Sequence, residues 1–206
     1  MTTTTEPTRP TLTQLRWPVR TERLSLRPAS WDDLATTWEF RRRDDVARWL
    51  TRAPATLSEY RPLFLDPASL AKSLVIELDG EVIGDLMLSV EDAWGQAEVA
   101  DQGRGAQADL GWVLHPDHAG RGYATEAVRA LLRVAFEDLG VRRITANCFT
   151  DNVASWRLME RVGMRRETHA IQDALHRSGR WLDSYIYALL DDEYRRTGLA
   201  TLEQQS

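Results

Sequence analysis

The amino-acid sequence predicts one α/β domain, and three observations lead to that prediction. Short β-branched or leucine-rich segments alternate with segments of helical periodicity, as in a sheet flanked by helices. The 206 residues, 43% of them hydrophobic, suffice for one domain with a sizeable core. No internal repeat or long linker divides the chain. We expect the domain to span residues 19–196, between a flexible N-terminal arm (1–18) and a C-terminal tail (197–206).

The first part of the domain is predicted to contain a strand followed by helices. Residues 23–27 alternate in polarity and indicate a short strand. The segment 30–33, a serine followed by tryptophan and two acids, is typical of a helix N-terminus. Residues 44–71 are expected to form helix and loop, with interruptions at Pro62 and Pro67.

A β-hairpin is the clearest local prediction. The segments 73–78 and 81–90 are rich in β-branched residues and leucine, and an Asp-Gly pair at 79–80 separates them. The glycine tolerates the positive φ that such a turn requires. Residues 91–107 contain scattered glycines and acids without periodicity, so we expect a surface loop before a strand at 109–114.

The strongest helical signal follows the next glycine-containing turn. Apolar residues recur at helical spacing between Ala124 and Leu139, and Gly140 is placed to end the helix. The remaining predicted elements are a strand at 144–149, a helix at 152–162 and a closing pair of strands at 164–167 and 181–190. The predicted order is therefore β, α, α, β, β, β, α, β, α, β, β.

Composition excludes several classes of function. A net charge of −5 and a pI near 5.4 disfavour nucleic-acid binding. Cys148 is the sole cysteine and cannot form an intramolecular disulfide. We find no apolar run of membrane-spanning length and no signal-peptide pattern, so we expect a cytoplasmic protein without membrane association. His115 and His118 lack further ligands at metal-binding spacing, and we predict no metal.

A glycine-containing segment, residues 113–127, joins a predicted strand to the longest predicted helix. Glycines let a backbone approach a ligand, and free N–H groups at a helix start attract anions. Nucleoside-triphosphate loops need Gly-Lys-Ser/Thr, but Lys72 is the only lysine. Dinucleotide loops need a third glycine where Thr125 stands. These residues favour a different anionic ligand.

This segment resembles the pyrophosphate loop of the GNAT acyltransferase superfamily, Gln/Arg-x-x-Gly-x-Gly/Ala at the start of the central helix. Gly122 and Ala124 occupy the last two positions of that motif. Ala119 stands where Gln or Arg is usual, which removes a side-chain contact and leaves the backbone in place. The stretch 147–164, an asparagine followed by a helix and a Gly-hydrophobic end, is similar to the second superfamily motif.

Three further segments resemble the ribosomal-protein N-terminal acetyltransferase branch: Thr21–Arg27, Gly120–Ala127 and Gly179–Asp183. The resemblance covers about residues 20–195. It implies a GNAT-like mixed sheet, mostly antiparallel, with two parallel strands that splay apart and with flanking helices.

The resemblance also implies a site for acetyl-CoA, used as a co-substrate. The splayed strands would hold the pantetheine arm, and the glycine loop would hold the pyrophosphate. The implied cofactor-binding residues are Val113, Leu114, Ala119, Gly120, Arg121, Gly122, Tyr123, Ala124, Thr125, Asn152, Ser155 and Arg157.

Two catalytic roles follow from the same resemblance, and the choice of a base rests on the carboxylates that remain nearby. The backbone N–H of Val113 would polarise the thioester carbonyl. Many relatives protonate the leaving thiolate with a tyrosine, but Met159 stands at that position, and Ser155 is the implied contact. Asp109 is the candidate base, with Asp183 as an alternative.

The acceptor is expected to be a primary amine, either a protein N-terminus or a small molecule. An α-amino group titrates near ~7.8 and lysine near ~10.4, so a weak base favours an α-amine. Loops 44–71, 91–107 and 168–180 are expected to form the acceptor pocket. The alternative function is a non-catalytic acyl-CoA-binding or regulatory protein, and a homodimer is a further expectation.

Overall fold

The computed structural model describes residues 10–196, whose strands form one eight-stranded sheet. The strands are β1 (Val19–Arg20), β2 (Leu24–Pro28), β3 (Ser73–Leu78), β4 (Glu81–Glu91), β5 (Gln107–Leu114), β6 (Arg143–Phe149), β7 (Arg165–Leu175) and β8 (Trp181–Leu190). Their spatial order is β1-β2-β3-β4-β5-β6-β8-β7. Neighbouring strands are antiparallel except for β5 and β6, which are parallel. The predicted mixed, mostly antiparallel sheet is confirmed.

Seven α-helices flank the sheet within the described residues. They are α1 (Leu34–Arg41), α2 (Asp44–Ala47), α3 (Leu57–Phe64), α4 (Pro67–Leu70), α5 (Tyr123–Arg133), α6 (Val153–Arg161) and α7 (Asp191–Arg196). Single 3-10 turns occupy Leu12–Gln14, Trp31–Asp33 and Pro116–His118, and a longer one spans Ala97–Gly103. A π-helical turn, Val134–Asp138, continues α5.

The predicted hairpin and central helix both form for local reasons. Asp79 and Gly80 have φ angles of 52° and 86°, so both central turn residues have positive φ, as in a type I′ turn. Helix α5 buries one apolar face, including Val128, Leu131 and Leu132, against the sheet. Gly140 has a φ of 66° just beyond the π-helical turn, consistent with its predicted role as a helix terminator.

The sheet carries different helices on its two faces. The large core joins α5 and α6 to side chains of the central strands, among them Leu110, Ile144 and Tyr187. On the other face, Trp38 of α1 stacks on Tyr60 of α3 with ring centroids 5.3 Å apart. One face thus holds the core, and the other holds the short helices of residues 34–70.

Two predicted boundaries are wrong. The second-last predicted segment, a strand at 164–167, is the start of the much longer β7 (Arg165–Leu175), which pairs with β8 through two register shifts. Its exposed, mostly polar edge position gives no clean alternation in the sequence. Pro62 lies inside α3 rather than interrupting it. The hydrogen bond that Pro62 cannot make would reach Ser58, whose exposure lets water take its place.

The predicted N-terminal arm is partly described. Leu12 is buried in the core, and the Trp17 indole N–H donates to the Leu12 carbonyl at 2.9 Å. Residues 1–9 of the arm and the predicted tail at 197–206 lie outside the described residues. The domain boundaries therefore stay a prediction.

At Gly84, strand β4 leaves no room for a side chain against the backbone of β5. An added Cβ there would lie 2.5 Å from the Val113 carbonyl oxygen, so we expect Gly84→Ala to lower the free energy of unfolding by roughly 1–3 kcal/mol. Urea unfolding measures the loss. Gly95→Ala is the control, because a Cβ at Gly95 meets no atom within 4 Å. Equal stability of the two variants would contradict the close approach.

Candidate active site

The parallel strands β5 and β6 separate after a short paired stretch. Their pairing covers Gln107↔Arg143, Ala108↔Ile144 and Asp109↔Thr145. Beyond these pairs β5 continues to Leu114 and β6 to Phe149 without pairing to each other. The predicted splay is therefore present, and we call the space between the two strand ends the slot.

The backbone of β5 faces the slot at alternate residues. The His115 N–H donates to the Ile83 carbonyl on β4 at 2.7 Å. Because backbone groups alternate in direction along a strand, Val113 also turns its N–H toward β4, while Trp112 and Leu114 turn theirs toward the slot. The assignment of the polarising N–H to Val113 is therefore corrected to Trp112, and Val113 loses its place among the pantetheine contacts. For Leu114, whose backbone faces the slot, the contact stays a prediction.

The glycine loop leads from β5 into α5 at the same end of the slot. Gly120 and Gly122 have φ angles of 75° and 83°, the left-handed region that glycine adopts without strain. Gly122 is the N-cap of α5, and no side chain caps the first turn. The N–H groups of Tyr123, Ala124 and Thr125 are thus oriented as an anion site requires.

Three of the residues predicted to bind the coenzyme around the glycine loop have exposed side chains. Arg121 is exposed, and its carbonyl accepts a hydrogen bond from Arg23 at 3.0 Å. Arg157 is exposed on α6, with its guanidinium 5.4 Å from the Trp156 ring centroid. Ala119 is exposed and offers only its backbone. The groups of the loop that are preorganised for a ligand are therefore in its backbone rather than in these side chains.

An ion pair that the sequence reasoning missed joins Arg23, the residue before β2, to the start of α5. Arg23 contacts the carboxylate of Glu126 through Nε at 2.7 Å and Nη2 at 2.5 Å. The Thr21 hydroxyl donates to the same carboxylate at 2.6 Å, and the Arg23 guanidinium lies 4.6 Å from the Tyr123 ring centroid. Although burial acts to raise it, the pKa of Glu126 is lowered by these hydrogen bonds from Thr21 and Arg23.

The N-terminus of α6 borders the slot on the β6 side. Asn152 is its N-cap, and its Oδ1 accepts from the Ser155 N–H at 3.4 Å. The Ser155 hydroxyl contacts the Cys148 thiol. Burial raises the pKa of Cys148 to about 11, so this cysteine is a protonated thiol at neutral pH. Ser155 is half-buried at the first turn, whereas Met159 is buried in the core.

Asp109 lies at the closed end of the slot. The Thr145 hydroxyl donates to its carboxylate at 3.4 Å. Burial, followed by the charge of Glu91, raises the pKa of Asp109. Three residues separate it from Trp112, about 10 Å along a strand, so proton transfer to Asp109 needs an intervening water.

The alternative base, Asp183, already has two partners. One of its oxygens accepts from the Gln172 N–H at 2.9 Å, and the other lies 2.9 Å from His169 Nε2. These hydrogen bonds lower the pKa of Asp183. Its observed contacts join β7 to β8.

A second concavity lies on the face of the sheet that carries α1 and α3. Its inner chamber, about 200 Å³, reaches Asp85 and Met87 on β4, directly opposite Val113 and Gly111 of β5. Its outer chamber, about 600 Å³, lies among residues 38–57 and includes Arg177. Trp38 and Pro54 line both chambers. We call the two chambers together the acceptor cavity.

The loops predicted to form the acceptor pocket contribute unequally. Residues 44–71 supply much of the lining, and the 168–180 segment supplies Arg177. Residues 91–107 supply none of the lining described for the two chambers. The sequence reasoning also missed Asp85, whose two carboxylate oxygens lie 2.6 and 2.7 Å from Arg41 Nη1.

A family model described as an acetyltransferase (GNAT) domain matches residues 23–165. The chain belongs to the GNAT acetyltransferase family. A solved GNAT-family acetyltransferase from Bacillus anthracis has a TM-score of 0.72 and 28% identity, and the match covers 85% of this chain and 99% of that one. The predicted family and fold are therefore confirmed.

Two curated relatives carry the name N-acetyltransferase. The p20 protein of Bacillus licheniformis is 28% identical over 182 residues, which are 84% of this chain and 96% of p20. YnaD of Bacillus subtilis is 37% identical over 86 residues, 42% of this chain, and that match spans about half of YnaD (50%). Both are named as uncharacterized, and neither name states an acceptor. The family is one of acyl-CoA-dependent N-acetyltransferases.

Within residues 10–196 no cluster of three or more His, Cys, Asp or Glu has the arrangement of a metal site. In the same range, no helix is long and apolar enough to cross a membrane.

The Arg23–Glu126 pair generates a prediction about coenzyme affinity. Arg23→Gln leaves the Glu126 carboxylate unpaired next to an anion-binding loop, and we expect the Kd for CoA to rise about fivefold. Glu126→Gln in the same chain removes that charge and restores part of the affinity. Calorimetric titration measures both, with Arg20→Gln as a matched loss of charge elsewhere. An Arg23→Gln variant with unchanged affinity would show that the pair has no role in binding.

Proposed function

We propose that this protein transfers the acetyl group of acetyl-CoA to a primary amine by direct attack within a ternary complex. The separation of β5 from β6 is the observation that carries the proposal, because it exposes backbone groups of Trp112 and Leu114 to the slot. The amide-containing pantetheine arm would satisfy these groups. The uncapped start of α5 would receive the pyrophosphate.

Polarisation of the thioester is assigned to the backbone. The Trp112 N–H would donate to the thioester oxygen and stabilise the negative charge that develops there during attack. Such a donor is fixed in place before the reaction because β5 is paired to β4 on its other side. No side chain is needed for this role.

The leaving group is assigned to Ser155. As the amine nitrogen forms its bond to the carbonyl carbon, the carbon–sulfur bond breaks, the Ser155 hydroxyl donates a hydrogen bond to the departing thiolate, and the thiolate takes its proton from water. Asn152 would contact the arm on this side through its amide nitrogen, since its Oδ1 caps the helix. The attacking amine loses its own proton through water to Asp109.

The acceptor is proposed to be an α-amine, of a protein or a small molecule. Names of relatives do not decide between these classes. The aminoglycoside N(6')-acetyltransferase of Klebsiella pneumoniae is 29% identical over 154 residues, 70% of this chain and 75% of that enzyme. YdaF of Bacillus subtilis, named for ribosomal N-acetylation, is 32% identical over 88 residues. The class of acceptor therefore has to be inferred from the residues that line the acceptor cavity of this chain.

Thiol release from acetyl-CoA, with mass spectrometry of the acetylated product, tests the transfer. We expect turnover with an α-amine acceptor, and Ser155→Ala should lower kcat about 100-fold without changing the Kd for CoA. Tight binding of acetyl-CoA without turnover on α-amine peptides, amino acids, polyamines and aminoglycosides would instead favour the non-catalytic acyl-CoA-binding protein.

Asp109 gives a prediction about pH. A base acts only when ionised, and the raised pKa of Asp109 moves the acidic limb of kcat to higher pH than an exposed aspartate would give. Asp109→Asn should remove that limb and lower kcat, while the limb set by the amine itself remains. Steady-state rates between pH 4 and 9 check this. A variant whose kcat still falls at low pH through two groups, the amine and a second acid, would exclude Asp109 as the base.

A further inference from the structure

The outer chamber of the acceptor cavity is rich in arginine. Arg42, Arg48 and Arg177 line it, and Asp44 is the acidic residue among its lining side chains. All three arginines are exposed. The Arg48 guanidinium lies 4.7 Å from the centroid of the Trp49 ring, and Arg177 donates to the Leu50 carbonyl, so the chain positions both of them.

The inner chamber contributes further positive charge. Arg52 and Lys72 line it beside the Arg41–Asp85 ion pair, whose charges cancel. Within residues 10–196 no carboxylate forms an ion pair with Arg48 or Arg52. The wall next to β5 is thus close to neutral, and the excess positive charge lies farther from the reacting strand.

This charge is opposite in sign to that of the whole chain. The sequence carries a net charge of −5, yet the two chambers together are lined by six basic and two acidic residues. Arg42 also shares its charge with Glu39 at 3.0 Å. A local basic surface on an acidic protein attracts anionic ligands and repels polycations.

Resting on the proposed function, we propose that the acceptor is an amine that carries carboxylates, in the form of an acidic peptide N-terminus or a free acidic amino acid. Its amine would lie at the neutral wall near β5, and its carboxylates would reach Arg52 and Arg48. Polyamines and aminoglycosides, which are polycations, are disfavoured by the same arginines. The relevant site is the acceptor cavity rather than the coenzyme slot.

A matched peptide series tests the inference. Three peptides share an N-terminal Ala-Ser and differ in the next three residues, which are all Asp, all Asn or all Lys. We expect kcat/KM to fall about tenfold from Asp to Asn at low salt and again from Asn to Lys, and the differences to shrink as ionic strength rises. Free aspartate and asparagine form the small-molecule arm, and spermidine and kanamycin are the polycationic arm.

Charge reversal in the cavity provides the second test. Arg48→Glu and Arg52→Glu should each lower kcat/KM for the Asp peptide and raise it for the Lys peptide. Replacement by glutamine should cost about two- to fivefold for the Asp peptide, as for an exposed ion pair. Arg20→Glu is the control, because it makes the same change of charge on the exposed strand β1 outside the cavity.

The outcomes separate this inference from the proposed function. Turnover that favours the Lys peptide, spermidine or kanamycin overturns the inference and leaves the acetyltransferase intact. Reversal variants that behave as Arg20→Glu does also overturn it. If acetyl-CoA binds and no acceptor turns over, calorimetry measures the affinity of the Asp and Lys peptides in the presence of CoA. Tighter binding of the Asp peptide supports the inference, and tighter binding of the Lys peptide overturns it. If the protein does not bind CoA, the proposed function itself is wrong.

Discussion

The separation of β5 from β6 is the constraint on which the rest of the site depends. A sheet that stayed paired along both strands would satisfy the backbone groups of Trp112 and Leu114 internally and leave no slot. Because the strands part after Asp109, those groups need an external partner. The same strand runs directly into the glycine loop, so one continuous segment would present backbone to both the arm and the pyrophosphate in the proposed complex. Glu126 and Arg23 then tie that segment to β2.

Much of this architecture was predictable because its causes are local. The Asp79-Gly80 turn requires positive φ at both positions, and the sequence contains residues that tolerate it. Helix α5 follows from apolar spacing and a terminal glycine, and the loop before it follows from Gly120 and Gly122. The splayed strands were predicted through resemblance, since the local sequence does not encode where two strands part.

The remaining features depend on contacts between distant segments. Whether Val113 or Trp112 faces the slot is decided by the register of β5 against β4, which a strand's own sequence leaves open. Arg23 and Glu126 are 103 residues apart. In the run Arg41–Arg43, the fold turns Arg41 onto Asp85 and places Arg42 at the cavity. Register and long-range ion pairs therefore set the chemistry here.

The charge of the cavity and the strength of the base both bear on whether the acceptor amine is neutral when it attacks. Attack on a thioester needs a neutral amine, and an ammonium must first lose its proton. Because the Arg41–Asp85 pair leaves the wall next to β5 close to neutral, the cavity can hold the acceptor's carboxylates at its arginines without placing a carboxylate of its own against the ammonium. An α-amine, which titrates near ~7.8, then needs little further help. A half-buried aspartate such as Asp109, reached through water, would be adequate for such an acceptor, whereas a lysine side chain would demand a stronger base placed against the nitrogen.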